Sequence, residues 1–157
     1  MTFGRVECAA KADRRSVVLG FLCLYALAMR PRSAPAASEQ AVFNAEELAE
    51  PWSAVKFTLL DGRGDPMPGI VIRLPDGGWY ASSLICPHNK CDVMYVRDLA
   101  VARDSFNVEV DSPVLACPCH FSVFDVLRHG RVISGPAPAA PVQLNVEVRE
   151  GKVIVSR

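Results

Sequence analysis

Cys86-Pro87-His88-Asn89-Lys90-Cys91 and Cys117-Pro118-Cys119-His120-Phe121-Ser122 are the two stretches on which the reading of this chain turns. Four cysteines and two histidines fall within them, a clustering that cysteines serving only as core residues do not produce. In the first stretch, Cys86 and His88 put a thiolate and an imidazole on one tight turn. Cys117 and His120 do the same in the second. Two such loops can close around one tetrahedral zinc, for which two Cys and two His are a suitable set. They can equally hold one edge each of a two-iron cluster. Zinc leaves Cys91 and Cys119 without a role.

The surrounding sequence is β-rich. Apolar, β-branched and aromatic runs at 56–60, 70–74, 79–84, 106–110 and 114–116 read as strands. The turns between the early ones are Asp61-Gly62, Pro68-Gly69 and Asp76-Gly77-Gly78. Val142, Leu144, Val146 and Val148 alternate with Gln143, Asn145 and Glu147, and Glu150-Gly151 turns the chain back into 152–155. That pattern is a hairpin with one buried face. No long stretch after residue 50 has helical periodicity, so the domain is expected to be all-β.

The two stretches resemble the paired boxes of the Rieske family, Cys-x-His-x-x-Cys and Cys-x-Cys-His-x-Ser. The resemblance runs over about residues 52–157 and is sharpest in the loops. It implies an antiparallel β-sandwich with a small cluster-binding subdomain inserted between strands. It implies one [2Fe-2S] cluster per subunit, with Cys86 and Cys117 on one iron and His88 and His120 on the other. Cys91 and Cys119 match the disulfide of the members that serve cytochrome bc-type complexes and arsenite oxidase. Mixed ligation suits electron transfer. Two ferric ions, two sulfides, two thiolates and two neutral imidazoles sum to zero, so adding one electron costs less than for an all-thiolate cluster. Protons on the outer ring nitrogens then couple potential to pH.

Three residues beside the ligands carry further implications. Ser122 matches a hydroxyl that donates to a bridging sulfide. Phe124 stands where high-potential members have a Tyr that donates to a ligand sulfur. Pro136 belongs to Gly135-Pro136-Ala137-Pro138, similar to the bc-type proline loop over the cluster. Lys90 and Phe121 occupy places where bc-type boxes have Gly. On the second box alone, the small subunit of arsenite oxidase stands slightly ahead. The long separation between Cys91 and Cys117 is expected to hold an extra hairpin that includes 106–110. His129, outside both boxes, reads as an exposed turn residue, and Trp52, Trp79 and Tyr80 as packing.

The first residues read as an address. Arg14-Arg15 precede the apolar run 17–29, and Ala34-x-Ala36 follows it. This resembles a twin-arginine export signal. The run spans about 20 Å as a helix, against roughly 30 Å of hydrocarbon, so an anchor is the less favoured alternative. The expected organisation is a signal or anchor at 1–38, a linker at 39–51 and the Rieske domain at 52–157. Export to the periplasm, or to the periplasmic face of the membrane, would also let a Cys91–Cys119 disulfide persist. With a formal net charge of +0, nucleic acid is not an expected partner. The expected partners are a larger redox subunit of molybdopterin or cytochrome b type and a soluble cytochrome c or cupredoxin, with membrane association through the N-terminus. The chain reads as an electron-transfer subunit rather than a complete enzyme. The alternatives are a freestanding periplasmic carrier and, remotely, a structural zinc module.

Overall fold

The computed structural model describes residues 38–157. The proposed signal, its arginines, Cys8 and Cys23 lie outside the described residues. Strand β3 (Pro66–Arg73) organises the rest, because it is buried on both faces. Met67 and Val71 point one way, into a core with Leu48, Leu59, Ala81, Leu144, Val153 and Val155. Ile70 and Ile72 point the other way, toward Leu115, Phe124 and Val126. Period-two alternation with apolar residues at both phases gives a strand sandwiched between two layers.

β3 pairs antiparallel with β2 (Ala54–Leu60) and with β4 (Trp79–Ser83). On one side lies the sheet of β1 (Gln40–Asn44), β10 (Lys152–Ser156) and β9 (Asn145–Arg149), in the order β1-β10-β9. On the other lies an antiparallel sheet of β5 (Met94–Val96), β6 (Val114–Cys117), β7 (Ser122–Asp125) and β8 (Arg131–Ser134). This last sheet is the inserted subdomain. Its inner face supplies Leu115 and Phe124, while its outer face presents Val114, Ala116 and Val123. The all-β expectation holds. Among the described residues, no helix is long and apolar enough to cross a membrane.

Three details differ from the sequence reading. The segment taken as a linker contains β1, which pairs with β10 from Gln40–Ser156 to Asn44–Lys152. Ala41 and Phe43 pack against the core there, and Ala- and Glu-rich neighbours mask so short a strand. The extra hairpin is instead a helix, α1 (Leu99–Phe106), followed by irregular chain. Asp98 caps its start by accepting from the Ala100 N–H at 2.9 Å, and Asn107 ends it in the left-handed conformation. Two turns are too few to display a helical period. Finally, Val142 and Val148 are exposed although they continue the alternation: Val142 lies before β9, where the chain bonds to β4 through the Ser83 N–H to Val142 C=O and Leu144 N–H to Ala81 C=O contacts, and Val148 lies on β9, the last strand of its sheet.

Candidate metal centre

The two boxes sit at neighbouring turns. The first joins β4 to β5 and is closed by backbone hydrogen bonds, Cys86 N–H to Cys91 C=O at 2.8 Å and Lys90 N–H to Cys86 C=O at 2.9 Å. The second is the turn between β6 and β7, where Cys117 pairs with Ser122. Lys90 and Phe121 have φ of 59° and 58°. The left-handed turn is thus real at both places where the resemblance calls for Gly, and these side chains bear its cost of about 1–2 kcal/mol.

A disulfide joins Cys91 to Cys119, with Cα atoms 6.5 Å apart, and locks the loops together. Cys86 and Cys117 remain as free thiols, each 1 % exposed. The His88 and His120 rings stand 4.6 Å apart and nearly perpendicular. His120 is exposed and His88 partly so. Nδ1 of His88 is buried with no hydrogen-bond partner. A buried nitrogen left unpaired costs on the order of 1–3 kcal/mol, unless something accepts its lone pair. Burial pushes the Cys117 thiol up; the Cys119 and His120 backbone N–H groups pull against that, and the neighbouring Cys86 thiol adds to it. The sulfurs of Cys91, Cys117 and Cys119 also lie within 4.8 Å of one another. Two of those three are consumed by the disulfide, so that trio offers a metal one thiolate. Two buried thiols and two imidazoles, one with an orphaned inward nitrogen, fit a two-iron cluster with mixed ligands.

Around this set, Ser122 is fully buried and its Oγ accepts the Ala137 N–H at 3.1 Å. Its own proton stays available for a sulfide. Phe124 is 0 % exposed, in the same cluster as Cys86 and Cys117. Gly135, at φ +85°, lies so close to the second box that a Cβ there would fall 2.6 Å from the Phe121 carbonyl oxygen and the Ser122 nitrogen. Pro136 follows it at the surface. His129 is exposed in a left-handed turn. Tyr80 is buried, and Trp52 and Trp79 are half-buried.

The Rieske [2Fe-2S] domain family matches residues 38–150. This chain belongs to the Rieske family. Its cofactor is a [2Fe-2S] cluster, which sets aside the zinc reading. It is similar to the cytochrome bc1 complex Rieske iron-sulfur subunit of Corynebacterium diphtheriae, 34% identical over 80 residues, covering 51% of this chain and 17% of that protein. It is likewise similar to the cytochrome b6-f complex iron-sulfur subunit of Chlorobaculum tepidum, 31% identical over 87 residues, covering 55% and 40%. The matched stretch thus spans less than half of either relative. The quaternary ammonium Rieske monooxygenase CntA with bound L-carnitine superposes with a TM-score of 0.52 at 18% identity, covering 76% of this chain and 32% of that one. That likeness is one of fold.

Two features beside the centre have no counterpart in the sequence reading. The Tyr95 hydroxyl donates to the Trp52 carbonyl at 3.0 Å, tying β5 to the segment before β2. Phe106 of α1 meets Phe121, with ring centroids 6.1 Å apart. Both are long-range contacts, and nothing local in the chain announces them.

Proposed function

We propose that this chain carries single electrons as the Rieske subunit of an exported, quinol-oxidising complex with a cytochrome b-type partner. The observation that carries the reading is the pair of buried thiols outside the disulfide, on the same clamped loops as two perpendicular imidazoles. Cys86 and Cys117 would hold one iron through sulfur. His88, through Nδ1, and His120 would hold the other. When bound, the cluster supplies a one-electron acceptor that is neutral when oxidised and singly negative when reduced.

The chain's own groups do the rest. Burial of both cysteines keeps water from the sulfur side, while the histidine side reaches the surface, where a donor can dock. With Nδ1 of His88 buried and without a hydrogen-bond partner, its other ring nitrogen is the one left to carry the N–H. Ser122 holds the proline loop with its lone pair and offers its proton inward. Phe124 offers no such proton, so the potential should lie below that of members with a Tyr there.

The disulfide supports an oxidising compartment, and Arg14-Arg15 ahead of an apolar run supports export of an already folded protein. A second reading, the small subunit of an arsenite oxidase-like enzyme passing electrons to a cytochrome c or cupredoxin, is favoured by Phe121 and Phe124 in the second box. Tagged full-length chain, purified from its own cells with gentle detergent, separates these. Co-purification of a b-type haem subunit is expected. A molybdopterin subunit would support the second reading, and an isolated, fully soluble chain would support a freestanding carrier.

A further inference from the structure

The insert between the boxes touches the second box. α1 covers the outer face of the inserted sheet, where Ala102 and Phe106 bury against Val96, Val114, Ala116 and Val123. Its last residue, Phe106, is 7 % exposed and therefore fixed in the core. The Phe106 ring meets that of Phe121 at 6.1 Å and an interplanar angle of 64°, an edge-on contact.

Phe121 is the residue between His120 and Ser122. Phe121 is 55 % exposed, so burial alone gives it little reason to stay in place. Its backbone is left-handed at φ 58°, a conformation that works against a bulky side chain. Gly135 closes on its carbonyl from the other side. Backbone strain and exposure both favour release of Phe121. The edge contact with Phe106 opposes that release.

We infer that Phe106 is a positioning residue for the metal centre, acting through the ring of Phe121 to hold the His120–Phe121–Ser122 turn. The inference rests on the cluster assignment proposed above. Cys117 and Ser122 at the two ends of that turn are buried; reduction adds one negative charge to a neutral centre, so a loosened turn that lets water reach them stabilises the reduced state and raises the potential.

The test uses the full chain with its cluster, read by film voltammetry, reduced-state EPR and thermal melting. Phe106→Ala is expected to raise the potential and change the EPR line shape while iron content holds. Phe106→Tyr, which keeps the ring edge, is expected to restore both. In a Phe121→Gly background, Phe106→Ala should leave the potential unmoved, because the relay is gone. A lower melting temperature with unchanged potential and line shape would overturn the inference, since it would make Phe106 a core residue only. Should Phe106→Ala fail to fold, Phe121→Ala, at an exposed site, must give the same upward shift, and no shift there overturns it as well. Absence of any reduced-state signal in the unsubstituted protein would instead overturn the cluster assignment.

Discussion

Gly135→Ala measures how tightly the proline loop is pressed onto the second box. At φ +85°, alanine takes on a left-handed backbone, at about 1–2 kcal/mol. Its Cβ would also lie 2.6 Å from the Phe121 carbonyl oxygen and the Ser122 nitrogen. Those are backbone atoms of a turn tied by a disulfide, so the proline loop must lift rather than the box give way. Lifting stretches the 3.1 Å bond from Ala137 N–H to Ser122 Oγ, worth about 0.5–1.5 kcal/mol. Together these come to about 1.5–3.5 kcal/mol. For a domain of this size each kcal/mol shifts the melting temperature by roughly 4 °C, so a fall of about 6–14 °C is expected by calorimetry. Gly64→Ala is the internal control. Gly64 has φ +86° but nothing within 4 Å of its would-be Cβ, so it bears the backbone cost alone, about 4–8 °C. Only Gly135→Ala should also move the reduction potential. Equal melting shifts in the two variants, with the potential unmoved in both, would refute the close approach.

Phe124→Tyr puts a hydroxyl among fully buried atoms beside Cys86 and Cys117. One hydrogen bond that favours the reduced centre by about 1–2 kcal/mol raises the potential by roughly 40–90 mV; a titration showing no upward shift with iron retained would sink the idea. Cys119→Ser opens a loop of 28 residues' separation and should cost about 3–4 kcal/mol in chemical denaturation, while iron analysis still finds the cluster. Burial pushes the Tyr95 phenol up to about 12. A raised folded value means its contribution to stability is complete below the unfolded value near pH 10 and is lost as pH rises through about 12. Urea unfolding across that window should show a decline that Tyr95→Phe lessens.

What the sequence revealed and what it hid divide along the range of the interactions involved. Metal ligation needs donors a few residues apart on one turn, so both boxes were legible, and so was the hairpin at Glu150-Gly151. Lys90 and Phe121 were visible as departures from Gly, and their left-handed backbone shows what that Gly would serve. β1 was hidden because its strand character comes from β10, more than a hundred residues away in the chain. α1 was hidden because its apolar contacts, Ala102 and Phe106, are set by the outer face of a sheet rather than by a helical period. The exposure of Val148 depends on β9 being the edge of its sheet, and alternation is blind to that.

Cys86, His88, Cys117 and His120 are together expected to hold the two-iron cluster. Pulsed EPR on the reduced, purified chain tests it most directly, because it reads the nitrogen coupling of each ligating imidazole. A paramagnetic centre coupled to two histidine nitrogens is expected, with one coupling lost in His88→Ala wherever the cluster survives. A diamagnetic protein, or a cluster with no nitrogen coupling, would contradict it.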